Sequence, residues 1–227
     1  SLRQNFVMEK NNYLSIYAKS FNWAGFFLPR KTYSKCSNLY DFCRTLDNIA
    51  DDEGETDIKL RRFLNFKDNF NIKEFQNPII KNMWELMDEH NISKNIVYDL
   101  FDGVESDIQN KVELNSKKEL LIYSYRVAGT VGLMMAKILN VTSSNSLKSA
   151  IDLGIAMQLT NISRDVVEDS KNKRFYIKQD FETIKETLAT AELFYESSFS
   201  SIKDIPLSLR FSILVARRVY RQIGRNI

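Results

Sequence analysis

The segment Val127-Ala128-Gly129-Thr130-Val131-Gly132-Leu133-Met134-Met135-Ala136 is almost entirely apolar, and as an α-helix it is hydrophobic on every side. A helix of this kind has to be surrounded by other elements, so we expect it at the centre of a helical bundle. The glycines at positions 129 and 132 weaken a helix unless a neighbouring helix or a bound chain needs the missing side-chain space. The segment therefore predicts a central helix in close contact with its neighbours.

The rest of the chain is poor in residues that interrupt helices. It holds three prolines and seven glycines in 227 residues, and each proline falls where a helical pattern would begin or end. Short alternating β-branched runs, which indicate strands, are nearly absent. We predict an all-α fold that forms a single domain over residues 1–227. The predicted helices cover residues 4–20, 32–52, 57–70, 76–88, 93–110, 117–139, 145–171, 180–200 and 206–225.

Two acidic clusters of the same form lie on two of these helices. Asp47 and Asp51 are four residues apart, and so are Asp165 and Asp169. On a helix, that spacing places both carboxylates on one face, one turn apart. Two such carboxylates repel each other unless a cation or a cationic side chain lies between them. The arrangement occurs twice, which favours a metal site.

Polar side chains extend each cluster into a stripe. Arg44 precedes Asp47 by three positions, and Gln158 and Asn161 precede Asp165 at helical spacings. Carboxylate and amide oxygens suit Mg²⁺ or Mn²⁺, and Mg²⁺ usually completes its shell with water and substrate phosphates. The sequence thus predicts a diphosphate substrate.

Basic residues surround the second cluster, at Arg164, Lys171, Lys173 and Arg174. They have two interpretations. Cations near a helix C-terminus complement the helix dipole, and the same cations near an anionic substrate would bind its phosphates.

Two tyrosines open the central segment, at Tyr123 and Tyr125. Each could be a core aromatic residue whose hydroxyl reaches a polar partner, which is the usual situation of a buried tyrosine. A catalytic role is the alternative.

Composition argues against several functions. The formal charge of +3 is small against 32 basic and 29 acidic side chains, so we predict no nucleic acid partner. A single histidine excludes a zinc site rich in histidine and a triad based on one. The two cysteines, Cys36 and Cys43, are too far apart along one helix to form a disulfide, which favours a reducing cytoplasm. The N-terminal residues lack the apolar core of a signal peptide.

Several ordered motifs resemble the squalene/phytoene synthase family, most closely its bacterial phytoene synthases. The first aspartate-rich motif matches YDFCRTLDNIADD at residues 40–52, and the tyrosine and glycine signature matches YSYRVAGTVG at residues 123–132. The second aspartate-rich motif matches GIAMQLTNISRDVVED at residues 154–169, followed by RFY at residues 174–176. Residues 20–21 and 27–29 resemble the N-terminal segment. The chain departs from the family at Asn48, where many members have aspartate, and in ending before the family's usual last helices.

The resemblance implies a bundle of the isoprenoid synthase type around a deep apolar central cavity, with the acidic helices facing each other. It also implies catalysis that depends on Mg²⁺ (or Mn²⁺), and the metal ligands that it implies are Asp47, Asp51, Asn161, Asp165 and Asp169. The residues implied in catalysis are Tyr123, Arg44, Asp47, Asp51, Asp165 and Asp169. Those implied in substrate binding are Ser20, Phe21, Arg44, Val127, Ala128, Val131, Gln158, Asn161, Arg164, Lys171, Arg174 and Tyr220.

The implied activity is a prenyltransferase reaction of carotenoid biosynthesis. Two geranylgeranyl diphosphates would condense head to head, through a cyclopropyl (prephytoene) diphosphate, to phytoene. The alternatives are a squalene or dehydrosqualene synthase that uses farnesyl diphosphate, and a non-catalytic relative that acts as an assembly factor. We expect a cytoplasmic protein that associates weakly with the inner face of the membrane, because the product is apolar and residues 23–28 (WAGFFL) are apolar.

Overall fold

The computed structural model describes residues 28–200 and positions 210, 218 and 222, and nearly all of its regular structure is helical. The helices are α1 (Arg30–Asp51), α2 (Thr56–Asn71), α3 (Pro78–His90), α4 (Lys94–Ser106), α5 (Lys117–Ser124), α6 (Thr130–Ile138), α7 (Ser144–Arg164), α8 (Val166–Lys171) and α9 (Phe181–Phe199). A π-helical turn, Tyr125–Gly129, joins α5 to α6. The all-α prediction is confirmed. The predicted helix over residues 4–20 lies outside the described residues, as does almost all of the one over 206–225.

Side-chain caps explain where several helices begin. The Asn77 side chain accepts a hydrogen bond from the Ile79 amide, and Pro78 occupies the first turn of α3, where a missing N–H costs nothing. Ser116 and Asp180 cap α5 and α9 in the same way. Local sequence signals therefore determine these boundaries.

An aromatic cluster holds the first helices together. Phe42 of α1 lies 5.7 Å from Phe66 and 5.8 Å from Phe70 between ring centroids, and Phe101 of α4 contacts all three rings. Trp84 of α3 stacks on Phe70 at 4.8 Å and donates its indole N–H to the Phe70 carbonyl. Buried aromatic pairs contribute about 0.5–1.5 kcal/mol each beyond their buried area. This cluster fixes the position of α1, which carries the first aspartate pair.

The apolar segment lies at the centre, as predicted. Val131 and Met134 of α6 are buried, and α6 packs against α1, α3, α4 and α7. The prediction of one α-helix over 117–139 is wrong in one respect, because residues Tyr125–Gly129 form a π-helical turn, which is wider than an α-helix. At this turn α7 passes very close, since a Cβ on Gly154 would lie 2.4 Å from the Ala128 carbonyl oxygen.

Two further features differ from the sequence prediction. The predicted helix over 145–171 breaks at Asp165, whose backbone (φ −100°, ψ 11°) ends α7 before α8 begins.

Two short parallel strands, β1 (Val112–Glu113) and β2 (Arg174–Phe175), also pair with each other. Strands of two residues have no detectable alternation in sequence. Their pairing brings the chain after α8 alongside the chain after α4.

Within the described part of the chain, no helix has the length and apolar character needed to cross a membrane.

The close approach of α7 to the π-helical turn gives a stability prediction. Gly154→Ala should lower the free energy of unfolding by about 1–3 kcal/mol, because the new methyl group would overlap backbone atoms that have little room to move. Helix propensity alone predicts the opposite sign. Gly54→Ala is the matched control, since a methyl group added there would have no atom of the described residues within 4 Å beyond its immediate chain neighbours. Urea unfolding followed by circular dichroism measures both, and an unchanged midpoint for Gly154→Ala would contradict the packing described here.

Candidate active site

The first acidic cluster lies near the end of α1. Asp51 is exposed and Asp47 is partly buried. Burial, together with the negative charges of Asp51 and Asp107, raises the pKa of Asp47 well above its ordinary value. Arg44, one turn earlier, donates to the Tyr40 hydroxyl at 3.3 Å. The Asp47 carboxylate is thus in a place where its negative charge is disfavoured.

The second acidic cluster lies at the break between α7 and α8. Arg164 binds Asp165 through two hydrogen bonds, at 2.6 and 2.8 Å. Burial and the charge of Asp165 raise the pKa of Asp169 to about 7, while Arg174 opposes the shift. Asn161 is buried, and neither its amide nitrogen nor its amide oxygen has a hydrogen-bond partner among the described residues. Buried amides without partners are rare and need an explanation.

Asp107, just after α4, was missed by the sequence analysis. Its Oδ2 accepts a hydrogen bond from the Tyr123 hydroxyl at 2.6 Å, and its Oδ1 accepts one from the Tyr176 hydroxyl at 2.6 Å. Arg174 lies 3.1 Å from the same Oδ1. The Tyr123 and Tyr176 rings stack at 4.8 Å between centroids. We call Asp107, Tyr123, Tyr176 and Arg174 the Asp107 cluster.

The two tyrosines of the Asp107 cluster are buried, Asp107 and Arg174 are partly buried, and the four groups affect one another's pKa values. Burial raises the pKa of Asp107, and Arg174 and the two tyrosine hydroxyls counteract part of that rise. Burial alone would lower the pKa of Arg174, but Tyr176 and Asp107 raise it by more. Burial and Asp107 raise the pKa of Tyr123 well above its ordinary value, so its hydroxyl keeps its proton at neutral pH. The core interpretation of Tyr123 therefore correctly predicted a polar partner, without identifying it.

Asp107 also connects the two acidic clusters. Its charge raises the pKa of Asp47 on α1 and of Asp169 on α8. Electrostatic effects of this kind require the groups to be near one another. The two clusters, which are distant in sequence, thus both lie close enough to Asp107 for its charge to affect them.

The remaining predicted site residues have different environments. Val127, Ala128 and Val131 are buried on the π-helical turn and α6. Gln158 is partly buried, whereas Lys171 is exposed. Ser20, Phe21 and Tyr220 lie outside the described residues. Tyr125, the other tyrosine of the signature, donates to Asp99 at 3.1 Å and is not part of the Asp107 cluster.

The donor set fits a divalent cation that also binds substrate. Among the described residues, no group of three or more acidic, histidine or cysteine side chains forms a metal site by itself. Mg²⁺ rarely needs such a cage, because it is usually bound by one or two carboxylates with water and phosphate oxygens. The unsatisfied Asn161 amide and the raised pKa of Asp169 both mark places where a cation would be favourable.

Residues 14–182 match the family model for squalene/phytoene synthase. The chain belongs to the squalene/phytoene synthase family. Its relatives include a phytoene synthase of Pseudescherichia vulneris, with 31% identity over 92% of this chain and 78% of that protein. A 15-cis-phytoene synthase of Pantoea ananas is 29% identical over 94% and 80%. Members of the squalene/phytoene synthase family are prenyltransferases, so the prediction of a prenyltransferase is confirmed.

Solved structures of this family agree with the fold. A dehydrosqualene synthase in complex with a ligand is 28% identical, with a TM-score of 0.71 over 92% of this chain and 82% of that one. A squalene synthase from Alicyclobacillus acidocaldarius is 16% identical, with a TM-score of 0.76 over 94% and 92%, and supports the fold alone. The predicted isoprenoid synthase-type bundle is confirmed, while the deep central cavity stays a prediction.

The raised pKa of Asp169 gives a pH-dependent stability prediction. The unfolded carboxyl ionises near 3.8 and the folded one at about 7, so the folded state loses stability as the pH rises between these values. In metal-free protein, Asp169→Asn removes this loss and should stabilise the fold at pH 8 but not at pH 4. Because solvent screens this partly exposed side chain, we expect the free energy of unfolding at pH 8 to rise by only about 1–2 kcal/mol.

Urea unfolding at the two pH values measures the effect. Asp41→Asn, on the exposed side of α1, controls for the general loss of one negative charge. Equal destabilisation by Asp169→Asn at both pH values would contradict the electrostatic assignment.

Proposed function

We propose that the chain joins two geranylgeranyl diphosphates head to head to form phytoene, in carotenoid biosynthesis. The observation that carries the proposal is the set of charged side chains around Asp107, where Arg174 lies 3.1 Å from Oδ1 and the Asp107 charge acts on both aspartate clusters. Such a concentration of carboxylates beside Arg164 and Arg174 suits a diphosphate bound with divalent cations. The relatives named phytoene synthase support the choice of product.

The predicted ligands divide between the two clusters. Asp47 and Asp51 would hold Mg²⁺ (or Mn²⁺) on one side, and Asn161, Asp165 and Asp169 on the other. Bound there, the metal would neutralise charge on the leaving diphosphate. The side chains proposed to bind diphosphate oxygens are Arg44, Arg164, Lys171 and Arg174.

The apolar residues of the proposed site would keep water away from the allylic cation. Val127, Ala128 and Val131 are buried and offer no nucleophile. Apolar side chains that exclude water would also restrict the orientation in which the cation approaches the second substrate. We propose that Ser20, Phe21, Gln158 and Tyr220 complete the substrate contacts, and that Tyr123 lies beside the reacting carbons.

The reaction has two stages. The carbon–oxygen bond of one substrate breaks, diphosphate leaves, and the allylic carbon bonds to the double bond of the second substrate. Loss of a proton closes a cyclopropane ring, giving the cyclopropyl (prephytoene) diphosphate. A second ionisation, a rearrangement and a further proton loss give phytoene. Each ionisation develops charge where fixed cations and dipoles lower its energy.

A dehydrosqualene or squalene synthase that uses farnesyl diphosphate is the second candidate. The dehydrosqualene synthase structure favours it, since at 28% identity it is nearly as similar in sequence as the phytoene synthases. The early chemistry would be the same, and the substrate would be five carbons shorter.

Product analysis tests the choice between these candidates. The protein is incubated with Mg²⁺ and geranylgeranyl or farnesyl diphosphate, with liposomes present, with and without NADPH. We expect a C40 hydrocarbon from the longer substrate without NADPH, and C30 product in preference would overturn the phytoene assignment.

We also propose weak association with the membrane surface, because the product is apolar. Protein that never floats with the liposomes would contradict that part.

Carboxylate variants test the proposed ligands. Asp51→Ala and Asp165→Ala should each lower turnover on the order of 10²-fold or more, because charge on the leaving group would lose its stabilisation. Asp41→Asn, an exposed acidic residue on the same helix as Asp51, should leave turnover unchanged. Circular dichroism checks that each variant keeps its helices. Undiminished turnover in either alanine variant would refute the ligand assignment.

A further inference from the structure

The Asp107 carboxylate has a hydrogen-bonding arrangement that differs from the predicted metal ligands. Each of its oxygens accepts a hydrogen bond from a tyrosine hydroxyl at 2.6 Å, and the Arg174 guanidinium forms an ion pair with Oδ1 at 3.1 Å. These donors come from α5, from β2 and from the residue after β2, so Asp107 is fixed from several directions. A hydroxyl donor can exchange its proton with the carboxylate that it binds, so Asp107 is placed for a role other than metal binding.

The proposed reaction contains a step that requires a proton acceptor. Closing the cyclopropane ring breaks a carbon–hydrogen bond at the carbon that left diphosphate, and the proton has to go to a base. In the proposed site Asp47, Asp51, Asp165 and Asp169 would be bound to cations, which makes them weak bases. Asp107 is outside the proposed ligand set, and its partners are two tyrosine hydroxyls and the Arg174 guanidinium.

Tyr123, which we place beside the reacting carbons in the proposed function, would connect them to Asp107. Its hydroxyl donates its proton to Asp107 Oδ2 at 2.6 Å, a length typical of a strong hydrogen bond to a carboxylate. The phenol oxygen also lies 3.3 Å from the Tyr176 hydroxyl, whose own proton goes to Asp107 Oδ1, so the Tyr123 oxygen keeps a lone pair that can accept a proton. By itself, Tyr123 would be a poor base, and transfer of its own proton to a carboxylate removes that difficulty.

The surroundings also suit Asp107 as a proton acceptor. Burial raises its pKa, so its protonated form costs less here than at a surface. Arg174 lies beside it and favours the ionised carboxylate, which opposes part of that rise in pKa.

On the basis of the proposed function, we propose that Tyr123 and Asp107 form a proton relay in which Asp107 receives the proton lost during cyclopropane closure. The electron pair of the broken carbon–hydrogen bond forms the third ring bond. The proton moves to the Tyr123 oxygen while the original hydroxyl proton moves to Asp107 Oδ2. Tyr123 ends neutral, Asp107 ends as a carboxylic acid, and release of that proton to water or diphosphate restores the site.

The test compares variants with substrate that carries deuterium at its first carbon, using whichever prenyl diphosphate the wild-type chain converts. Asp107→Asn retains an acceptor oxygen of similar shape but is a far weaker base. We expect product formation to fall about 10²-fold or more at unchanged KM, with a primary deuterium isotope effect on kcat larger than that of the wild type. Such an isotope effect arises only if carbon–hydrogen cleavage has become the slow step, and a purely structural role would not produce it.

Two tyrosine variants complete the experiment. Tyr123→Phe leaves the Asp107 carboxylate in place and breaks the relay, so it should show the same enlarged isotope effect even if Asp107→Asn fails to fold. Tyr125→Phe is the matched control, because Tyr125 is two residues away and donates to Asp99 at 3.1 Å. It should keep the wild-type rate and isotope effect.

Two results would overturn the relay while leaving the proposed function intact. One is an active wild-type chain with full turnover in folded Asp107→Asn. The other is a loss of turnover in the Asp107 and Tyr123 variants without a larger isotope effect, which would indicate a structural role. A wild-type chain that converts neither prenyl diphosphate would instead overturn the proposed function, and the relay with it.

Discussion

The hydrogen bonds to Asp107 are the constraint on which the site depends. A carboxylate removed from water is strongly destabilising unless charged or hydroxyl partners replace its hydration. Tyr123 and Tyr176 each approach Asp107 to 2.6 Å, and Arg174 supplies the opposite charge. Because these partners come from α5 and from the chain around β2, their hydrogen bonds set the position of both segments. The parallel pairing of β1 with β2 holds the backbone in the register that these contacts need.

The features that follow from nearby residues could be predicted from the sequence. The spacing of Asp47 and Asp51 is a property of one helix. The apolar residues on all sides of the helix that contains Val131, and the cap at the start of α3, are likewise features of single helices. Each is determined within a few residues, where helical periodicity and capping act. For the same reason the all-α fold and the face that carries Asp47 and Asp51 could be inferred from the sequence, whereas the helix break at Asp165 could not.

Contacts between distant residues could not be predicted in this way. Asp107 lies 16 residues from Tyr123 and 69 from Tyr176, and no periodic pattern joins them. As a lone acidic residue near the end of α4, Asp107 is indistinguishable in sequence from a solvated helix terminus. The π-helical turn is equally hidden, because it depends on how closely α7 approaches the Ala128 carbonyl. Packing between elements determines these features, and one sequence does not specify it locally.

The acidic clusters illustrate why a site of this kind needs a rigid scaffold. Burial and neighbouring carboxylates raise the pKa of both Asp47 and Asp169, so the folded chain bears a repulsion that an unfolded chain would avoid. The aromatic rings that pack on α1 and the hydrogen bonds to Asp107 hold the acidic side chains in place against this repulsion. Electrostatic strain held in this way would be relieved on binding cations with a diphosphate, and that relief would favour substrate binding. Removing the strain would stabilise the chain and weaken the proposed site for the same physical reason.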